Sequence, residues 1–170
     1  MKKYIPCLPI ILFPYLIGII LLCIFKGSII TNTFYSLIIA LIVLYIISFI
    51  CAVAVFITGI AGKRKSSELL RMNMVIKLIH IPAYMLIFAF GLICSLTIFT
   101  VGITIVLVLL DGMTIALSGL IGLSGIVRGF RENRITKQRA VIHSILQFIY
   151  CVDVINSIIL FKTIKKAEKA

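Results

Sequence analysis

The sequence predicts an all-α, polytopic transmembrane helical bundle, four spans followed by a C-terminal amphipathic helix, as a single integral membrane domain over residues 1–170. Three observations predict it. The chain is 62% hydrophobic and 13% charged with a mean hydropathy of +1.26, whereas soluble domains carry about a quarter charged residues. Its apolar stretches run uncharged for roughly the 20 residues that a helix needs to cross about 30 Å of hydrocarbon. Its Lys and Arg residues gather in the gaps between those stretches.

The first expected span is 8–25, preceded by Lys2 and Lys3. No small-residue cleavage site of the A-x-A kind follows it, and Leu21 and Leu22 stand where a lipidated Cys23 would need small neighbours, so the segment is expected to be retained, with a kink at Pro14. The second expected span is 34–61. The apolar run from Ile81 to Val127 is too long for one crossing, and it contains Asp111-Gly112, a strong turn signal. A turn there would leave helices of about 45 Å and about 22 Å. A turn at 100–102 gives spans 81–99 and 103–127, both of crossing length, and is the preferred partition.

Residues 140–161 decide between four and five spans. Their thirteen Leu, Ile, Val and Phe residues favour insertion by about 4–8 kcal/mol, but Asp153 costs about 2.5–3.5 at a helix centre, and His143, Gln147 and Asn156 cost more. His143, Gln147, Tyr150, Asp153 and Ser157 gather on one side of a helical wheel, with Val141, Ile145, Phe148, Val152, Ile155 and Ile159 on the other and Asn156 out of place. That pattern predicts a helix lying on the inner leaflet; the alternative is a fifth span. A faint repeat pairs Thr58-Gly59-Ile60-Ala61 with Ser124-Gly125-Ile126-Val127, and Pro14-Tyr15 with Pro82-Ala83-Tyr84, as in two tandem hairpins. Coincidence is the competing account, since these residues are common in membrane helices.

Lys63, Arg64 and Lys65 lie between the second and third spans, and Arg128, Arg131 and Arg134 follow the fourth. By the positive-inside rule both clusters, and the N-terminus, are expected in the cytoplasm. The net charge of +12 then reflects contact with the anionic inner leaflet, worth about 1 kcal/mol per residue. No basic groove interleaved with aromatics is present, so nucleic acid is not an expected partner. The five cysteines are scattered without metal or redox spacing, and no cofactor or metal is expected.

The principal candidate site is Asp111 with Thr114 and Ser118. In the preferred partition the carboxyl is intramembrane and heads a stripe of small and polar residues that also includes Thr104, Gly122 and Gly125, a setting for ion handling or close helix contact. The bland alternative is a solvated external turn. A second candidate is the inner-face pair His143 and Asp153; His80 and His143 read more simply as interfacial histidines satisfied by water or lipid. The signatures G-x-S-x-G, H-E-x-x-H and G-x-x-x-x-G-K-[ST] are absent. Asp111-Gly112 matches the opening of the membrane alcohol phosphotransferase motif, but the following residues do not, and catalysis is not expected.

The run Ile76-Lys77-Leu78-Ile79-His80-Ile81-Pro82-Ala83-Tyr84 resembles a segment of small multi-span bacterial membrane proteins grouped as a domain of unknown function. The resemblance implies a bacterial plasma-membrane protein and supplies no activity. Three functional readings follow, in order: a non-enzymatic accessory or immunity-type protein that packs against a membrane partner or itself through Gly119, Gly122 and Gly125; a small transporter or channel component using Asp111; and a lipid-modifying enzyme using His143, Asp153 and the basic loop.

Overall fold

A computed structural model describes residues 2–25, 32–62, 64–96 and 98–168. After a 3-10 segment, Lys2–Cys7, come α1 (Leu8–Phe25), α2 (Asn32–Ile60), α3 (Ser66–Ser95), α4 (Val101–Arg131), α5 (Lys137–Leu146) and α6 (Val152–Ala167), with no strand among the described residues. The chain is an all-α bundle in which α1 to α4 are long and apolar enough to cross a membrane. Hydrocarbon offers no partner for a peptide N–H or C=O, so apolar runs of this length close their hydrogen bonds internally as helices. Ile10, Phe13 and Ile17 of α1 form the core with Leu69 and Ile76 of α3 and Ile121 of α4. On the periphery, α2 turns Ile39, Ile42, Val43, Ile46 and Ile50 outward.

Three boundaries differ from the sequence expectation. First, α3 begins at Ser66, well before residue 81, because Lys77 is buried in an ion pair and so does not have to lie in a loop. Pro82 consequently falls inside the helix. Second, α3 ends at Ser95 and α4 begins at Val101. Thr100 Oγ1 closes the turn on the carbonyl of Cys94 at 2.6 Å, and Thr104 Oγ1 ties α4 to the Gly91 carbonyl at 3.1 Å. Asp111 therefore lies within α4.

The third difference concerns residues 140–161, which form two helices. They meet at 147–151, where Cys151 adopts a left-handed φ of 63°. Outgoing α5 rises beside α4, bringing Gln147 against Gly122 and Phe148 against Gly119. Returning α6 descends antiparallel to α3, pairing Asp153 with Lys77, Ser157 with Asn73 and Glu168 with Lys65. Lys77 stands eleven residues beyond Ser66, about 17 Å along the helix, so the hairpin turns back near the mid-height of the bundle. Asn156, out of place on a single helical wheel, clasps the two arms together: His143 Nδ1 donates to Asn156 Oδ1 at 2.5 Å, and Asn156 Nδ2 donates to the His143 carbonyl at 3.0 Å.

The basic ends of α3 and α4 are tied by Glu132. Asn133, at φ 55°, caps α4, with Asn133 N–H bonded to Phe130 O and Arg134 N–H to Gly129 O, a Schellman arrangement. Ser66 Oγ donates to Glu132 Oε2 at 2.6 Å, and Arg128 and Arg134 lie 2.8 and 3.1 Å from its carboxyl. Burial opposes the Glu132 charge, but Ser66 and the two guanidiniums outweigh it and hold the carboxyl below its ordinary pKa of 4.5. A pKa depressed by folding stabilises the fold above the unfolded value, and that contribution is lost as pH falls through the folded value. Glu132→Gln is expected to cost about 1 kcal/mol near neutrality after solvent screening. In thermal unfolding in detergent, the gap from wild type should close as pH drops below 4.5.

Candidate functional site

Asn73, Lys77, His80 and Tyr84 follow one another on α3 at spacings of four, three and four and are all buried, so they share one face. The hairpin brings Gln147, Asp153 and Ser157 to that face. Lys77 and Asp153 have no exposed side-chain surface, and Nζ lies 2.9 Å from Oδ2. Lys77 Nζ also donates to Gln147 Oε1 at 2.7 Å and to the Gln147 carbonyl at 3.1 Å. An ammonium has three hydrogens, and three oxygens surround this one. The bonds to Gln147 are directional. The contact with Asp153 is coulombic, since neither Asp153 oxygen receives a well-aligned donor.

Asn73 Nδ2 extends the cluster to Gln147 Oε1 at 3.2 Å and Ser157 Oγ at 3.0 Å, and Ser157 Oγ donates to the Asp153 carbonyl at 2.7 Å. Asp153 also occupies the first turn of α6, where the helix dipole favours a negative group. The cluster fits only because α4 presents glycine here: a Cβ on Gly122 would lie 2.8 Å from Asn73 Nδ2 and from Gln147 Oε1.

Above the ion pair, His80 Nε2–H donates to the Ile10 carbonyl at 3.1 Å, and Nδ1 faces the Tyr84 hydroxyl at 3.4 Å. Ile10 is four residues before Pro14; proline has no N–H to give, so the imidazole of α3 occupies an acceptor that α1 leaves open. Tyr15 of α1 donates to the Ile79 carbonyl of α3 at 2.5 Å. Residues in or beside the two proline-bearing stretches of the faint repeat thus bond to one another, and Gly59 approaches Ser124 of its other halves so closely that a Cβ there would lie 2.9 Å from Ser124 Oγ.

Asp111 lies on α4 beyond this cluster. It is 7% exposed, and its Oδ1 is buried without a hydrogen-bond partner. The Tyr150 hydroxyl, from the hairpin turn, lies within hydrogen-bond reach of its carboxyl and also 3.4 Å from the Tyr84 carbonyl. Asp111 lines a cavity of about 520 Å³ between α3 and α4, walled by Phe88, Leu92, Val108, Phe148 and Tyr150 among others. The Lys77–Asp153 charges cancel locally. Among the described residues no ion pair engages Asp111, whose Oδ1 is left without a hydrogen-bond partner.

A model of a family of unknown function (DUF6652) matches residues 2–166. The chain belongs to that family. No curated protein and no solved structure matches it. The family match accords with the resemblance of residues 76–84 to a domain of unknown function, and it runs through most of α6. The hairpin that completes the polar cluster is therefore part of the family's domain.

The structure separates several of the residues that the sequence grouped. Thr114 and Ser118 are buried beside Asp111 on α4, but their hydroxyls bond back to the carbonyls of Leu110 and Ile115 at 3.0 and 3.1 Å. His143 and Asp153 face different partners, Asn156 and Lys77, and form no common site. Of the residues assigned to headgroups, Lys63 lies outside the described residues. Lys65 is exposed, 3.9 Å from Glu168; Arg64 is half-buried, with Nη1 3.2 Å from Met72 Sδ. Arg128 and Arg134 are engaged by Glu132, and Arg131 is exposed and donates to the Ile60 carbonyl at 3.0 Å. Among the described residues no three His, Cys, Asp or Glu side chains group as metal ligands.

Sequence reasoning passed over Asn73, Lys77 and Tyr84. A signal was present: their helical spacing with His80 makes a polar stripe complementary to Gln147, Tyr150, Asp153 and Ser157.

Proposed function

We propose that the chain is a small carrier or channel component of the bacterial plasma membrane, with Asp111 as the carboxylate that takes up and releases a proton or cation. One observation carries this reading: Asp111 is buried within an apolar helix, leaves one carboxyl oxygen unpartnered and borders a cavity large enough for a solute. Ionisable groups in such positions are costly, and pathways are where proteins retain them. The hairpin turn supports it, because non-helical backbone at membrane depth is tolerated where it is buried in protein or lines a cavity, and Phe148 and Tyr150 of this turn do line it. The positive-inside rule orients the basic end toward the cytoplasm, where exposed Arg71, Lys137, Arg139, Lys162 and Lys165 meet anionic headgroups.

The accessory or immunity-type reading has less behind it. Its basis was a glycine stripe open to a partner, whereas Gly119, Gly122 and Gly125 are filled from within the chain by Phe148, Gln147 and Leu70. The lipid-modifying reading needs His143 and Asp153 in one site.

Purified protein in liposomes, loaded with a pH-sensitive dye and held under a pH gradient with the membrane potential clamped, is expected to pass protons faster than empty liposomes. Asp111→Asn is expected to return the rate to that of empty liposomes. Equal rates for wild type and Asp111→Asn would overturn the reading.

A further inference from the structure

Resting on the carrier reading above, we infer that the cavity beside Asp111 takes an organic monocation with an apolar body, an ammonium or phosphonium class of solute, seated with its charge at Asp111 and its body against Phe88, Phe148 and Tyr150. The volume of about 520 Å³ lies within the range of small-molecule sites. Its polar equipment is sparse. Ser95 Oγ bonds to the Leu92 carbonyl at 2.7 Å and Thr104 Oγ1 to the Gly91 carbonyl at 3.1 Å, so both hydroxyls at the α3–α4 end are engaged by backbone. Tyr150 is directed to Tyr84 and Asp111.

Asp111 Oδ1 is left as the unpartnered polar atom, on a side chain more than nine-tenths buried. One unspent carboxyl oxygen cannot satisfy a sugar or a nucleotide, which bring many donors and acceptors, and it repels an anion. It complements a single positive charge, and aromatic walls attract a cation through their ring faces while burying its apolar groups. Two glycines leave room for the guest: a Cβ on Gly112 would meet nothing within 4 Å, and one on Gly91 would meet Leu107 Cδ1 at 4.0 Å. Gly112 lines the cavity, so a larger side chain there would narrow it without a clash at Cβ with the neighbouring helices.

The test is equilibrium binding of radiolabelled tetraphenylphosphonium to the full chain in nanodiscs, with empty nanodiscs subtracted and tetraphenylborate as the anionic isostere. Saturable phosphonium binding is expected, weakened at least tenfold by Asp111→Asn and abolished by Gly112→Leu, both variants eluting as monodisperse protein of wild-type melting temperature. Borate is expected to show no saturable component. Saturable binding of both ions, undiminished phosphonium binding in Asp111→Asn, or no binding by the wild type would overturn the inference. The proton-flux assay separates the two claims: if flux depends on Asp111 while phosphonium does not bind, the solute class is wrong and the carrier reading stands; if neither is observed, both fall.

Discussion

Lys77→Met is expected to destabilise the protein by about 3–5 kcal/mol, the largest effect of any single substitution considered. Removing one partner of a buried ion pair strands the other charge, here Asp153, in a site with no exposed surface. The same substitution leaves Gln147 Oε1 and the Gln147 carbonyl short of the donor that now reaches them at 2.7 and 3.1 Å. Replacing both members by apolar residues of similar size is much less harmful than removing one, so Lys77→Met with Asp153→Leu is expected to recover more than half of the loss. SDS-titrated unfolding of both single variants and the double variant measures this coupling directly. Additive losses would mean that the two residues do not interact.

The second large effect is expected at Gly122. A methyl group there would lie 2.8 Å from Asn73 Nδ2 and from the Gln147 carboxamide, and Gln147 is held by Lys77 and cannot swing aside. Overpacking of this kind costs about 1–3 kcal/mol, and the strain should be relieved by lifting the hairpin away from α4. Gly122→Ala is therefore expected to lower stability in the same titration and to speed tryptic cleavage at Lys137 and Arg139. Gly112→Ala is the matched control on the same helix, since its Cβ would meet nothing within 4 Å. Alanine is the better helix former by about 1 kcal/mol, so this variant is expected to be as stable as wild type or more so.

The parts of the architecture governed by hydrocarbon were legible in the sequence. Uncharged length set the four long helices, and the need for two crossings after residue 81 placed the turn near residue 100 and Asp111 inside α4. Lys77 illustrates where that reasoning stops. A lysine beside an apolar run is ordinarily a loop or headgroup residue, and only a partner distant in sequence allows it to be buried. Asp153 is that partner, 76 residues later; each polar stripe shows in its own helix, but nothing local says that the two pair.

The same dependence explains the C-terminal stretch. Taken alone, residues 140–161 balance insertion against polar cost and suit an interfacial helix. Once Lys77 and Asn73 receive Gln147, Asp153 and Ser157, a hairpin packed into the bundle places the same polar face inward. The preferred partition placed Asp111 inside a long apolar helix, and there it lies. Its cavity was not legible, because that space depends on how α3, α4 and the hairpin turn meet.

The C-terminal hairpin folds back against α3 and α4 and completes a buried polar cluster. Cysteines placed at Asn73 and Ser157 in a background lacking the native five, treated in native membranes with a short bifunctional thiol reagent, test this arrangement most directly. The bond of 3.0 Å between these side chains predicts efficient intramolecular crosslinking and a faster-migrating monomer in gels. A control pair at Ser66 and Glu132, whose side chains are hydrogen-bonded at 2.6 Å between the start of α3 and the end of α4, should crosslink in parallel. Crosslinking of the control pair with none between positions 73 and 157 would contradict the account.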